Sequence, residues 1–288
     1  MKRILILLHE HFKHEQYLIY RLREAWQKQG LHVSCVYGIR DRPEADLLIP
    51  HVDLTRTPPE YIEYIRSYPN AVNRNVVDIS KRRISANLLR GDEDFRGPVI
   101  VKTDNNSEGG SEEFLYRCRH PHLAWLRGKA SAVQAHLAGH RSTARSGLHE
   151  YPVYSSLAEV PAGVFRNRAL VVEKFLPERE GDRYFVRVYV CLGSHTQSIR
   201  IADSKPFVKR PAARQVDEGL EVPEPVLDLR RRIGLDYGKI DYTIHEGQVA
   251  ILDVSLTPGW SAGTELTART VGILAGGIWS LLPNQGNT

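Results

Sequence analysis

Cysteine is scarce in this chain: its 288 residues carry three, Cys35, Cys118 and Cys191, far apart and in no CxxC pair. That pattern excludes a disulfide scaffold and a cysteine-built structural zinc site, and it suits a reducing compartment such as the cytoplasm. Long apolar runs are missing too. Ile4 to Leu8 stops at His9-Glu10-His11, too short for the apolar region of a secretion signal, so it predicts a buried strand. Val271 to Leu282 is apolar for about a dozen residues, short of the ~20 that span a bilayer. Neither run predicts a membrane anchor. An excess of one charge is also lacking, since 39 Lys and Arg stand against 34 Asp and Glu, a net of +5. Phosphorylated or carboxylated small molecules account for so mild a surplus as well as nucleic acid does. The phosphate-binding sequence GxxxxGK[ST] and the dinucleotide sequence GxGxxG do not occur.

What is present is ordinary globular composition, 42% hydrophobic and 25% charged. At roughly 150 residues per domain the length corresponds to about two domains. Strands and helices alternate at the start. After the Ile4–Leu8 strand, a helix is predicted from about Glu15 to Gln29, with Leu18, Ile19, Leu22, Ala25 and Trp26 at helical spacing and Gly30 as its stop. Leu31 to Tyr37 predicts a second strand and Asp46 to Val52 a third. Thr57-Pro58-Pro59-Glu60 has the form of a capping box opening a helix that buries Tyr61, Ile62, Tyr64, Ile65 and Tyr68. This alternation predicts an α/β fold class, with parallel pairing and right-handed crossovers over the first ~85 residues. Later, Val99 to Lys102, Ala169 to Glu173, Arg183 to Leu192 and Thr196 to Ala202 predict strands, the last two joined through Gly193-Ser194. Pro225 to Ile233 predicts a helix stopped by Gly234. Ile240–Ile244 and Gln248–Val254 predict a final hairpin turning at His245-Glu246-Gly247.

That last hairpin carries chemistry. With 245–247 as its loop, Asp241 faces Ile251, and Asp241, Asp253 and Ser255 share the face opposite the apolar one. Carboxylates set as diagonal neighbours repel unless a cation lies between them, and oxygen-only ligands suit Mg²⁺. A solvated strand face that happens to carry two acids is the other explanation. A two-residue turn at Gly193-Ser194 sets Arg187 opposite Arg200, a like-charge pair that a shared anion such as a triphosphate accounts for. A three-residue turn puts them on opposite faces instead. Val99 to Lys102 runs into Thr103 to Gly110, joining a strand-end lysine to a loop whose amides can cradle phosphate oxygens.

In order, Lys81 precedes that strand–lysine–glycine loop, and Glu173-Lys174-Phe175-Leu176, Arg187, Arg200, Asp241 and Leu252 to Gly259 follow it. This order and spacing resembles the ATP-grasp superfamily over about residues 70–270, with the amino-terminal α/β unit similar to the pre-ATP-grasp domain. The resemblance implies an ATP-grasp fold divided into a pre-ATP-grasp domain (1–85), a lid subdomain (86–172) and a large subdomain with the metal site (173–288). It implies that Lys81 and Lys102 contact ATP phosphates. Thr103 to Gly110, with Asn105, Asn106, Ser107, Gly109 and Gly110, is the implied loop over the triphosphate. Glu173, Lys174, Phe175 and Leu176 are the implied hinge that reads adenine, and Glu180 or Asp182 the implied holder of ribose hydroxyls. Arg187 and Arg200 are implied as phosphate or acyl-phosphate contacts, which with Lys102 form the catalytic set. Asp241, Asp253 and Ser255 are the implied metal ligands, Ser255 standing where the family usually has asparagine.

The activity so implied is ATP- and Mg²⁺-dependent ligation of a carboxylate to an amine or other nucleophile through an acyl phosphate, with Mn²⁺ as a substitute metal. The alternatives are a kinase on the same fold, or a nucleotide-binding protein without turnover because of Ser255. Small-molecule carboxylates and nucleophiles, amino acids and peptides among them, are the implied partners, and a homodimer the implied assembly.

Two other sets of residues invite a metal reading. His9, His11 and His14 follow the first strand, and Cys118, His120 and His122 fall in a basic stretch, but neither has the spacing of a zinc site. His9 and His11 do lie where a parallel sheet places its ligands. Residues 117–150, with Arg117, Arg119, Arg127, Lys129, Arg141 and Arg145, read as the solvated surface of the lid. Only Tyr116, Trp125 and Tyr151 are there to stack on bases, which argues against nucleic acid.

Overall fold

The structure, a computed structural model, describes residues 1–12, 17–123, 151–206, 215–259 and 265–283. His14 and the basic residues Arg127, Lys129, Arg141 and Arg145 lie outside the described residues. The early strands are β1 (Arg3–Leu8), β2 (His32–Tyr37), β3 (Leu47–His51), β4 (Leu88–Leu89), β5 (Val99–Thr103), β6 (Val153–Tyr154) and β7 (Leu170–Lys174). The later ones are β8 (Glu178–Glu180), β9 (Arg183–Leu192), β10 (His195–Asp203), β11 (Gln215–Glu218), β12 (Tyr237–His245) and β13 (Gln248–Ser255). Helices α1 (Leu18–Lys28), α2 (Pro59–Arg66), α3 (Lys81–Ile84) and α4 (Gly110–Arg119) lie in the first half of the chain. Two compact units result: residues 1–79 with 177–288, and residues 80–176.

In the first unit, β2-β1-β3 form a parallel sheet. Ile4 to Leu8 are at most 1% exposed, as expected of a parallel strand covered on both faces. On α1 the buried residues are Leu18, Ile19, Leu22 and Trp26, and Gly30 ends the helix with φ of 82°. α2 starts at Pro59 with Pro58 as its N-cap and no side-chain capping bond. The Thr57 N–H donates to Val77 O at 2.9 Å, and at the start of α2 proline's fixed φ stands in for the expected capping box. Tyr61, Tyr64, Ile65 and Tyr68 are buried as their spacing predicts, whereas Ile62 is only half-buried.

The carboxy-terminal half of this unit is a sheet in the order β11-β10-β9-β12-β13, with β8 paired to the first residues of β9. One core serves both sheets: Ile4, Leu8, Leu22 and Trp26 cluster with Val188, Val190, Leu192, Leu274 and Ile278. The Trp26 indole N–H closes the contact by donating to Ala275 O at 3.0 Å.

The second unit is a four-stranded sheet, β4-β7-β5-β6, with antiparallel pairings. Its core is Leu89, Val99, Val101, Leu157, Val160, Leu170 and Val172. The fold therefore mixes helices with parallel and antiparallel sheets. No helix among the described residues is long and apolar enough to cross a membrane.

The β9–β10 turn has two residues, because Leu192 pairs with His195. Gly193 takes its first position with φ of 54°, and a Cβ there would collide with Ser280 Oγ and the Gly277 carbonyl. Gly193→Ala is expected to lower the unfolding free energy by about 1–3 kcal/mol, read as a lower urea midpoint at unchanged slope.

Candidate functional site

The short β9–β10 turn sets Arg187 directly opposite Arg200. Two facing guanidinium groups require an anion, and the chain supplies one of its own in Glu178, 5% exposed at the start of β8. Arg187 donates to it through Nε, at 3.1 Å to Oε1 and 2.9 Å to Oε2, and through a terminal nitrogen at 2.9 Å to Oε1. Glu178 Oε1 lies 2.8 Å from the Arg200 guanidinium, and Oε2 accepts the Ile244 N–H at 2.9 Å. Arg200 also pairs with Glu180 and stacks 3.6 Å above the Phe185 ring. Burial works against the Arg187 charge, but Glu178 outweighs it and raises the pKa. Asp182 sits fully exposed in the two-residue turn between β8 and β9, 3.8 Å from Arg179.

The β12–β13 hairpin differs from the expected one in two ways. His245 pairs with Gln248, so the turn is Glu246-Gly247, both left-handed with φ of 49° and 81°. A turn one residue shorter than expected would by itself move Asp253 to the other face from Asp241. A β-bulge between Asp241 and Tyr242 restores the lost residue: Tyr242 pairs with Ile251, but Asp241 pairs with Asp253. The two carboxylates therefore face each other directly rather than diagonally. Lys239 pairs with Ser255 on the same face, and its ammonium forms an ion pair with Asp241 Oδ2.

Unit charges ~5 Å apart repel by about 3 kcal/mol at an effective dielectric of 20; the Lys239 ammonium counters this repulsion but leaves the two carboxylates and the lysine with one net negative charge. Asp241 Oδ1 is buried with no hydrogen-bond partner among the described residues. An unfilled acceptor, two carboxylates and a hydroxyl fit a hard divalent cation. No group of three or more His, Cys, Asp or Glu among the described residues is arranged to hold a metal.

Across β9 and β12, Arg187 pairs with Tyr242 while Asp241 pairs with Val188. Paired residues project from the same face, so the arginine pair and the aspartate pair occupy opposite faces of one sheet. The structure thus gathers Asp241, Asp253 and Ser255 with Lys239, and Arg187 with Arg200 and Glu178.

In the second unit, Lys102 on β5 reaches Glu173 on β7, Nζ to Oε2 2.9 Å, with side chains 11% and 2% exposed. Glu173 Oε1 is buried without a partner among the described residues. Lys81 opens α3, its Nζ 3.3 Å from Asn105 O and 3.5 Å from Asn106 Oδ1. The Lys81 N–H donates to Asp104 O at 3.0 Å. Ser107, Glu108 and Gly109 follow with φ of 47°, 59° and 74°, so two successive non-glycine residues hold a left-handed backbone costing of order 1 kcal/mol each. Gly110 then starts α4. In the segment expected as the hinge, the Lys174 N–H donates to Asn87 O and that of Phe175 to Pro98 O, both at 2.9 Å, and the unit ends at Leu176.

Glu178 and Lys239 escaped the sequence reading. Lys239 had a signal, since strand alternation puts it on the face of Asp241 two residues later. Glu178 had none, because its partners are set by strand pairing.

At the carboxyl ends of β1 and β3, His51 is fully buried, and neither ring nitrogen has a partner among the described residues. The rings of Phe12 and Tyr17 meet it edge-on, with centroids 5.4 and 5.0 Å away. Burial, and then the neighbouring His9, lowers the His51 pKa to about 3. His9 Nδ1 accepts the His11 N–H at 3.1 Å. Tyr17 and Thr257 both donate their hydroxyls to Asp53, at 2.6 and 2.5 Å.

The chain is similar to D-alanine–D-alanine ligase from Bacillus anthracis complexed with ATP, with a TM-score of 0.50 and 13% identity over 98% of this chain and 96% of that one. It is also similar to a RimK domain ATP-grasp protein from Sphaerobacter thermophilus, with a TM-score of 0.48 and 11% identity over 96% and 99% of the two chains. A third is a RiPP-associated ATP-grasp ligase from Chryseobacterium gregarium in complex with ADP and a leader and core peptide. Its TM-score is 0.45, at 11% identity over 100% and 99%. No protein-family model and no curated protein matches the chain. The first likeness shows the fold: this is the ATP-grasp fold, preceded by a parallel α/β layer.

Glu178→Gln removes the charge between two largely buried guanidinium groups and is expected to cost about 3 kcal/mol in urea unfolding. His51 is neutral when folded and takes a proton on unfolding. The unfolded state therefore binds more protons between its ordinary value near 6.5 and the folded value of about 3, and stability falls as pH drops through that window. His51→Phe is expected to flatten the fall by up to about 1.4 kcal/mol per pH unit, measured from urea midpoints between about pH 5 and 7.

Proposed function

We propose that the chain is an ATP-dependent ligase that joins a carboxylate to an amine or other nucleophile through an acyl phosphate. The observation that carries this reading is the facing pair Asp241–Asp253, with the unpartnered buried Asp241 Oδ1 and with Lys239 and Ser255 beside it. The fold supports it, being shared with a ligase solved with ATP.

Asp241, Asp253 and Ser255 would hold Mg²⁺, or Mn²⁺, through oxygen alone. Bound there, the ion would neutralise phosphate charge. Lys239, on the same face, is assigned to charge that develops on phosphate oxygens. Lys81 and Lys102 are assigned to the ATP phosphates, as are the amides from Asn105 to Gly110, Ser107 and Gly109 included. The hinge Glu173 to Leu176 is assigned to adenine, where Glu173 Oε1 is an acceptor suited to an exocyclic amino group. Glu180 or Asp182 is assigned to the ribose hydroxyls. Arg187 and Arg200, expected as phosphate or acyl-phosphate contacts, lie on the face opposite the aspartates with Glu178 between them, and are not assigned to the metal-bound phosphates.

In the reaction a substrate carboxylate oxygen bonds to the γ-phosphorus while the bond to the ADP oxygen breaks. The nucleophile's lone pair then bonds to the acyl carbon, phosphate leaves with its electron pair, and the amine gives its proton to solvent. Such transfers depend on positioning and charge neutralisation and need no side-chain nucleophile. Amino acids and short peptides are the substrate class to test first.

A second reading, nucleotide binding without turnover, draws on Ser255. Its hydroxyl is shorter than the usual asparagine and already accepts the Thr257 N–H at 3.2 Å.

With ATP, Mg²⁺ and pooled amino acids and peptides, the purified chain is expected to release ADP, and added hydroxylamine to yield a hydroxamate. Asp253→Asn and Lys102→Ala are each expected to lower kcat by at least ~100-fold with unchanged circular dichroism. ADP without hydroxamate would point to a kinase. ATP binding in calorimetry with no ADP from any pool, and metal binding improved by Ser255→Asn, would support the second reading.

A further inference from the structure

Asp53 follows β3 with φ of 57°, a left-handed backbone that among non-glycine residues asparagine and aspartate accept best. This turn sends its carboxylate between two hydroxyls from distant parts of the chain. Tyr17 donates to Oδ2 at 2.6 Å and Thr257 to Oδ1 at 2.5 Å, lengths typical of charge-assisted O–H···O⁻ bonds. Burial, and then the Asp53 charge, raises the Tyr17 pKa, which keeps the phenol a donor. Thr257, 6% exposed, passes the constraint on, because its N–H donates to Ser255 Oγ at 3.2 Å. The next residue is tied as well, Pro258 O accepting the Leu18 N–H at 2.9 Å.

We infer that Asp53 is a positioning residue, acting through Thr257 to fix the direction of the Ser255 hydroxyl on the metal face. The inference rests on the assignment of Asp241, Asp253 and Ser255 as that face. A serine hydroxyl has two lone pairs and one proton and turns about a single bond. The Thr257 N–H occupies one lone pair, which leaves the other with a defined direction. Asparagine would reach further and hold its oxygen by a planar amide, whereas the shorter serine needs an external brace. Asp53 and Thr257 form that brace, and Tyr17 holds the far side of Asp53.

The test uses the full chain with Mn²⁺ and the non-hydrolysable analogue adenylyl imidodiphosphate, with free Mn²⁺ read by electron paramagnetic resonance. Thr257→Val and Asp53→Asn are expected to weaken Mn²⁺ binding about 10- to 100-fold, the usual effect of removing a partner one bond behind a ligand. Thr257→Ser, which keeps the hydroxyl, is expected to retain wild-type affinity, and metal-free nucleotide binding is expected to be unchanged in all three. Asparagine suits the left-handed backbone at 53, and Thr257→Val decides the matter alone if the other variant does not fold. Wild-type Mn²⁺ affinity in folded Thr257→Val, or equal losses in Thr257→Val and Thr257→Ser, would overturn the positioning role. Absence of Mn²⁺ binding by the wild type would overturn the metal face itself, before any variant is compared.

Discussion

Like charges set opposite one another in an antiparallel ladder repel, by about 3 kcal/mol at ~5 Å in an effective dielectric of 20, and this sheet carries two such pairs on adjacent rungs. The two are resolved differently. Glu178 closes the arginine rung, and because it also accepts the Ile244 N–H, one carboxylate fastens β8, β9, β10 and β12 together. On the aspartate rung Lys239 pairs with Asp241, and Asp241 Oδ1 is left buried without a partner among the described residues. A rung completed from within belongs to the architecture. A rung left incomplete is where an outside cation lowers the energy most, and that asymmetry is why the functional reading rests on the aspartates.

Much of the fold was legible because the rules that made it are local. An unbroken apolar run gave β1, a helical repeat gave the buried face of α1, and Gly193-Ser194 set the Arg187–Arg200 register. The order of charged residues pointed to the ATP-grasp fold although no motif did, which accords with a likeness at 13% identity. The aspartates share a face through two features that offset each other, a turn one residue shorter than expected and a bulge beside Asp241. A bulge depends on what the neighbouring strand requires and leaves no mark in its own segment.

Longer-range features were not legible at all. The Asp53–Thr257 bond joins residues 204 apart, and the Glu178 clamp exists only once β8 folds back on β9. Thr57 had the letters of a cap, but Pro58 is the N-cap and the Thr57 N–H goes to Val77 O, a case of tertiary context overriding a local preference. Arg187 and Arg200 do share an anion, but it is Glu178, a carboxylate of the chain itself.

The placement of residues 80–176 inside the path of the other unit bears on how the chain is made. That segment is contiguous and can collapse as it leaves the ribosome. The amino-terminal layer cannot, because its covering residues Leu274, Ala275 and Ile278 are translated long after α1. Trp26, bonded to a carbonyl 249 residues away, stays without its final partner until residue 275 has emerged. At the usual ~5–20 residues per second, the apolar stripe of α1 is left partly uncovered for some tens of seconds. During that interval α1 keeps part of its apolar face open to a chaperone.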